Sequence, residues 1–116
     1  LSAQIQFASD TSKFAISRLS GGTAPPMADT ETTIAELRER IKKTVEYIKS
    51  VPASAVDGSE EREVVLKFPN GEMKFTGLNY LTGFVLPNFL FHVTTAYAIL
   101  RHNGVPLGKG DFLGNA

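Results

Sequence analysis

The sequence predicts an all-α fold, a helical bundle, with one short β-hairpin added to it. Three observations indicate this class: two long segments carry apolar residues at three- and four-residue spacing, a third long segment is broadly apolar, and one short segment alternates apolar and polar residues. A length of 116 residues corresponds to one domain that is large enough to bury a core. We therefore expect residues 1–116 to form a single helical domain, with the hairpin at about 63–76.

Composition excludes several classes of function. The chain has 12 basic and 12 acidic side chains, so we expect no electrostatic attraction to nucleic acid or to an anionic membrane. It contains no Cys, which rules out disulfides, thiolate metal ligands and cysteine nucleophiles within these residues. No secretory signal is visible, and Pro87 interrupts the longest apolar run. We expect a soluble, cytoplasmic protein.

The first two predicted helices cover residues 1–19 and 33–51. The first ends at a Gly-Gly pair, and the second begins at a capping box formed by Thr33 and Glu36. The second helix is stopped by Pro52, and its charged run over residues 38–43 is expected to be a solvated face. Its apolar stripe consists of Ile34, Leu37, Ile41, Val45 and Ile48.

The hairpin is predicted from Asn70-Gly71, a strong signal for a two-residue turn. That turn pairs Phe68 with Met73, Leu66 with Phe75 and Val64 with Gly77. This register places the large apolar side chains on one face, which must pack on the helices because an isolated hairpin is marginally stable. It also sets Lys67 opposite Lys74, either as two solvated lysines or as an anion contact.

Residues 77–103 are predicted to be helical, with a kink or restart at Pro87, because proline lacks a backbone donor. Asn103-Gly104 ends this helix. The tail, residues 105–116, is expected to pack back onto the bundle.

His92 is the side chain best suited to chemistry, because an imidazole titrates near neutral pH. It follows Asn88 by one helical turn in the most apolar part of the chain, so it is either a core histidine or part of a polar pair that lines an interhelical pocket. Tyr97 and Gln4 are further candidates for that pocket. His102 is expected to cap a helix, and with a ten-residue separation the two histidines cannot share one ion.

Three stretches carry a resemblance to a known family. They are the string from Pro87 to Gly108, the helix opening from Asp29 to Leu37, and Gln6-Phe7-Ala8-Ser9-Asp10. The chain resembles an uncharacterised bacterial and fungal family of unknown function within the DinB-like superfamily of up-down-down-up helical bundles.

The resemblance implies that a further N-terminal helix precedes Leu1, so that this domain is N-terminally incomplete. A missing helix leaves an apolar groove. We expect that groove to be filled by a cleaved N-terminal segment or by a second copy in a homodimer.

Many DinB-like proteins hold a divalent metal with three histidines, and the resemblance places Asn88 and His92 at two of those positions, with Gln4 or Phe7 at the third. Amide oxygens are weak ligands for such metals, so we expect no metal and no cofactor. Two functions stay open. One is a small-ligand-binding or structural dimer with an apolar interhelical pocket, and the other is a thiol-transferase or isomerase with His92 as general acid–base.

Overall fold

Three long helices and one β-hairpin make up the fold. The structure is a computed structural model that describes residues 1–114. The elements in chain order are α1 (Ser2–Ser20), α2 (Ile34–Ser50), α3 (Ala53–Val56), β1 (Glu63–Phe68), β2 (Gly71–Thr76), α4 (Gly77–Tyr80), a π-helical turn (Leu81–Val85), α5 (Leu86–His102) and α6 (Lys109–Leu113). The predicted class, mainly helical with a short hairpin, is confirmed.

Helix α1 is the central helix, because it packs against both α2 and α5. Near the N-terminus of α1, Gln6 donates a hydrogen bond to Glu31, which lies just before α2. Near the C-terminus of α1, Leu19 belongs to the hydrophobic core, and Val56, which lies just after α2, packs against that core. Helices α1 and α2 therefore run in the same direction. Helix α5 runs the opposite way, since its His92 forms a hydrogen bond with Gln4 whereas Asn88, one turn earlier, forms one with Thr11. The three long helices thus run down, down and up in chain order.

The hydrophobic core lies where the hairpin packs on the C-terminal half of α1. Its buried members are Ala15, Leu19, Val64, Leu66, Tyr80 and Val85. The buried ring of Tyr80 stacks on Phe84, and its hydroxyl accepts a hydrogen bond from Arg18 at 2.9 Å. The expectation that the apolar hairpin face rests on the helices is confirmed.

The register of the hairpin differs from the predicted one by two residues. Pro69 and Asn70 form the turn, so the ladder pairs Phe68 with Gly71, Leu66 with Met73 and Val64 with Phe75. The fixed φ of proline suits the first central position of a turn, which explains the shift. Lys67 consequently lies opposite Glu72 rather than Lys74, an opposite-charge pair in place of a like-charge pair. A shift of two residues leaves every side chain on its predicted face.

Gly77 marks a close approach of two backbone segments where β2 leads into α4. A Cβ atom at this position would lie 1.9 Å from the carbonyl oxygen of Ser59. The adjacent amide of Leu78 donates to the carbonyl of Glu60 at 3.0 Å. Only glycine, which lacks a Cβ atom, fits at this position. Its small size lets the 57–62 loop pack directly against the start of α4.

Helix α4, the π-helical turn and α5 together form one continuous helix from Gly77 to His102. The interruption predicted at Pro87 is present as the π-helical turn, which ends just before the proline. Widening the helix there accommodates the missing N–H of Pro87. At 26 residues, this helix is long and apolar enough to cross a membrane by length and composition, and little of it is buried among the described residues. A core helix of a bundle passes the same test, and the absence of a membrane span stays a prediction.

Arg40 is buried although it lies within the charged run that the sequence predicts to be solvated, so that prediction is wrong for this residue. Its side chain is 2% exposed, and its guanidinium donates to Ser9 and Asp10 of α1 and to Asp29 and Glu31 of the segment that joins α1 to α2. This group of residues is called the Arg40 network below. Asp10 also lies 3.4 Å from the buried ammonium of Lys13.

The Arg40 network stabilises the charged forms of Glu31 and Arg40. Burial of Glu31 acts to raise its pKa, but hydrogen bonds from its own backbone N–H, from Gln6 and from Arg40 outweigh burial and hold that pKa below its ordinary value of 4.5. Burial of Arg40 acts to lower its pKa, but hydrogen bonds to Glu31 and Asp29 and the charge of Asp10 raise it instead. The guanidinium is therefore positive and the Glu31 carboxylate negative at neutral pH.

We predict that Arg40→Ala lowers the free energy of unfolding of the full-length protein by about 2–4 kcal/mol, because it removes the buried guanidinium that joins the two helices and leaves the largely buried Glu31 without its cation. Urea unfolding followed by circular dichroism measures this change. The matched control is Arg38→Ala, an exposed arginine of the same helix, which should change the free energy by no more than about 0.5 kcal/mol. Equal effects of the two substitutions would contradict a structural role for the Arg40 network.

Candidate functional site

The candidate site lies on the seam between α1 and α5, where Gln4 and His92 meet. The Nδ1 atom of His92 lies 2.7 Å from Oε1 of Gln4. Because the amide oxygen only accepts, the imidazole donates from Nδ1, which leaves Nε2 with a lone pair in the neutral ring. The His92 ring forms no other hydrogen bond with residues 1–114. The pair thus fixes the tautomer and leaves one ring nitrogen open.

Two aromatic rings flank the imidazole of His92. Phe7 stacks on it at a centroid distance of 4.9 Å, and Phe91 meets it edge-on at 5.2 Å. The two phenylalanines are 51% and 61% exposed, whereas His92 is half-buried. Large exposed aromatic residues beside a half-buried polar group are typical of a surface that receives another molecule.

Asn88 lies on the same seam, one turn before His92, but it does not contact that ring by a hydrogen bond. Its amide nitrogen donates to the hydroxyl of Thr11 at 2.9 Å. The structure therefore gives two polar pairs between α1 and α5, Gln4 with His92 and Thr11 with Asn88. Each pair satisfies polar groups that partial burial would otherwise leave costly.

Tyr97 does not join this group. Its ring meets Phe112 of α6 edge-on at a centroid distance of 5.9 Å, and its hydroxyl lies 3.4 Å from a guanidinium nitrogen of Arg101. The contact with Phe112 shows that residues 105–114 of the tail pack back onto α5, as expected from the sequence, and residues 115–116 lie outside the described part. Of the four candidate ligand-binding residues, the structure brings Gln4 and His92 into contact, holds Asn88 one turn away, and places Tyr97 against the tail.

Sequence reasoning did not single out Thr11 or Phe91. Thr11 follows Gln4 by seven residues, which is two helical turns and therefore the same face of α1. That spacing is the signal that would have found it, once Asn88 and His92 were known to face α1. Phe91 carries no comparable signal, because its contact with His92 is a contact between sequence neighbours.

The residues at this seam do not fit a divalent metal ion of the kind that the family resemblance implies. The amide oxygen of Gln4 accepts from His92, the amide nitrogen of Asn88 faces Thr11, and His92 is the one imidazole among them. Among residues 1–114, no group of three or more His, Asp or Glu side chains has a geometry that could hold a metal. A single imidazole with two amides that already have partners is a poor donor set for the metals that prefer imidazole.

Cavities occur elsewhere in the fold. An open cavity of about 690 Å³ lies between the Pro25-to-Glu31 segment and α2, where Arg40 and Tyr47 contribute to its wall. A smaller one of about 420 Å³ lies beside the hairpin, next to Glu63 and Lys74. Neither of these two cavities is lined by His92.

Comparison with known proteins places the chain among helical bundles. The model of the DUF1993 family, a domain of unknown function, matches residues 1–113. A crystal structure of a DinB family member protein from Shewanella denitrificans is similar at a TM-score of 0.86 and 39% sequence identity. The match covers 97% of this chain and 64% of that chain, so this chain spans less than two thirds of the length of that protein. No curated protein matches the chain.

We predict that the neutral ring of His92 carries its proton on Nδ1, because the hydrogen bond to Gln4 selects that tautomer. Long-range ¹H–¹⁵N correlation spectra of the imidazoles test this directly, with exposed His102 as the internal reference. A Gln4→Leu substitution removes the acceptor and should abolish the Nδ1–H preference, while Thr11→Val on the neighbouring pair should not. A His92 signal of the Nε2–H form in the unsubstituted protein would contradict the geometry.

Proposed function

We propose that this chain, which belongs to the DUF1993 family within the DinB-like superfamily, binds a small, largely apolar molecule at the seam of α1 and α5. In this proposal, Gln4 and His92 form the polar anchor, and Phe7 and Phe91 form the apolar walls. The observation that carries it is the open Nε2 atom of a half-buried imidazole between two exposed aromatic rings. Ligand sites commonly combine apolar walls with a few well-placed polar groups.

The chemistry of the anchor defines the class of ligand. With Nδ1 occupied by Gln4, the neutral ring accepts one hydrogen bond at Nε2, so the ligand carries one donor such as a hydroxyl group. The body of the ligand lies against phenylalanine rings, which favours an aromatic or alkyl group. Asn88 is satisfied by Thr11 and therefore supports the seam without being the first polar contact.

A series of 4-alkylphenols is a suitable probe, because each member combines one hydroxyl donor with a growing apolar body. Titrated into the full-length protein, the phenols should shift the His92 ring signals and leave those of His102 unchanged. Affinity should rise about fourfold with each added methylene group that becomes buried, following about 0.8 kcal/mol per group. His92→Ala should weaken binding, whereas His102→Ala should not. Equal binding by all three proteins, or no dependence on alkyl length, would contradict the proposal.

A second candidate function is acid–base catalysis by His92. Gln4 orients the imidazole of His92 through Nδ1 and leaves Nε2 available. General-base histidines are commonly held in the same way, by an acceptor on one ring nitrogen, while the other nitrogen takes the proton. A thiol transfer or an isomerisation would require a substrate proton within hydrogen-bond distance of Nε2. Chemical conversion of a bound compound, lost in His92→Ala, would favour this function over binding alone.

The long helices leave apolar stripes without a partner among the described residues. On α2 the stripe consists of Ile34, Ile41 and Val45, which are 55%, 45% and 42% exposed, and α5 exposes Leu86 and Leu90. We propose that a helix from an N-terminal segment of the same polypeptide covers these stripes. The support is their exposure, together with the extra length of the Shewanella denitrificans protein, of which this chain covers 64%. A second copy in a homodimer is the alternative occupant.

The substitution Ile41→Ala separates these occupants in the full-length protein. If a segment of the same chain covers α2, the substitution lowers the free energy of unfolding by about 2–5 kcal/mol without changing the oligomeric state. If a second copy covers it, the dimer dissociates more readily in size-exclusion chromatography with light scattering. Lys42→Ala, at the exposed neighbouring position, is the control. A change within about 0.5 kcal/mol and an unaltered oligomeric state would show that nothing covers the stripe.

A further inference from the structure

The outer edge of the hairpin is open. Glu72, Met73 and Lys74 of β2 are all exposed, whereas Val64 and Leu66 of β1 are buried. The sheet has two strands among residues 1–114, so β2 has a hydrogen-bonded neighbour on one side only. An exposed edge of this kind offers unpaired N–H and C=O groups to another strand.

The ladder decides which groups of β2 point outward. In an antiparallel ladder the residues alternate between those that exchange hydrogen bonds with the partner strand and those that do not. Because Phe68 and Gly71 close a two-residue turn, the alternation turns the N–H and C=O of Glu72 and Lys74 away from β1. A second strand can therefore pair with β2 through these two residues.

The charges of β2 select one register for pairing with itself. In antiparallel self-pairing about a twofold axis, outward groups meet when Glu72 faces Glu72, when Lys74 faces Lys74, or when Glu72 faces Lys74. The first two registers place like charges opposite each other, and the third creates two opposite-charge pairs. Neither Glu72 nor Lys74 forms a salt bridge within the part of the chain that the structure describes. The favoured register is centred on Met73.

Met73 strengthens this register. It is 45% exposed and lies on the apolar face of the hairpin, opposite Leu66. In the register centred on Met73, the two Met73 side chains meet across the twofold axis and cover apolar surface that a single copy leaves exposed. A sheet of four strands is also more stable than a two-stranded hairpin, which is only marginally stable by itself.

We propose that β2 pairs with β2 of a second copy of this chain, which creates a continuous four-stranded antiparallel sheet across a twofold axis. The interface consists of the outward backbone groups of Glu72 and Lys74, their two reciprocal ion pairs and the Met73 contact. This interface is separate from the seam at His92 and from the apolar stripes of α2 and α5, so it stands or falls independently of the ligand and of whatever covers those stripes.

Charge reversal tests the proposal in the full-length protein. Sedimentation velocity over a concentration series should show a dimer whose dissociation constant rises about tenfold or more in Glu72→Lys and in Lys74→Glu, since each reversal creates two like-charge pairs. The double variant E72K/K74E exchanges the charges and should restore the dimer. Circular dichroism confirms that each variant is folded. A monomer at all concentrations, a dimer that none of the variants weakens, or a double variant that stays monomeric would each overturn the proposal.

A disulfide provides a second measurement that does not depend on charge. Residues 1–116 contain no Cys, and the two Met73 residues would form a pair with a Cα separation of about 4.5 Å, within the range of a disulfide. Met73→Cys should therefore form a covalent dimer on mild oxidation, as seen by non-reducing electrophoresis. Lys67→Cys, on β1, is the control and should stay reduced. Equal crosslinking of both variants, or none of Met73→Cys, would contradict the register.

Discussion

The buried guanidinium of Arg40 is the constraint on which the arrangement of the helices depends. An arginine removed from water is costly unless every donor finds an acceptor and the charge is balanced. The acceptors come from two other parts of the chain, Ser9 and Asp10 on α1 and Asp29 and Glu31 on the joining segment. These hydrogen bonds tie α1, the joining segment and α2 to one another.

This constraint explains the parallel arrangement of α1 and α2. Two helices that run in the same direction need a connection that returns along their length, and residues 21–33 supply it in extended form. The Arg40 network holds that connection at its far end, while Ser9 and Thr44 share a hydrogen bond of 2.7 Å beside it. With α2 fixed on one face of α1, the other face is free to pair with α5. The contact of Gln4 with His92 lies on that second face.

Local patterns predicted the elements of this fold well. The spacing of apolar residues indicated both long N-terminal helices, and Thr33 caps α2 as predicted, accepting from the amide of Glu36 at 3.1 Å. Patterns failed where the outcome depends on contacts distant in the sequence. Arg40 resembles any other surface charge in the sequence, until three carboxylate side chains from other segments are seen to surround it. The hairpin turn lies one residue earlier than predicted, which shifts the strand pairing by two residues, because Pro69 and the pairing of Lys67 with Glu72 favour that register. His92 and Gln4 were both singled out from the sequence, but only the packing of α1 on α5 shows that they touch.

The most direct test of the central constraint is the exchange rate of the Arg40 side-chain protons with water, measured by nuclear magnetic resonance on the full-length protein. A buried arginine whose guanidinium forms hydrogen bonds with four side chains should give resolved Nε–H and Nη–H signals that exchange slowly, in contrast to the exposed Arg38. Exchange of the Arg40 protons as fast as that of Arg38 would show that the network does not exist in solution, and would contradict its role in placing α2 against α1.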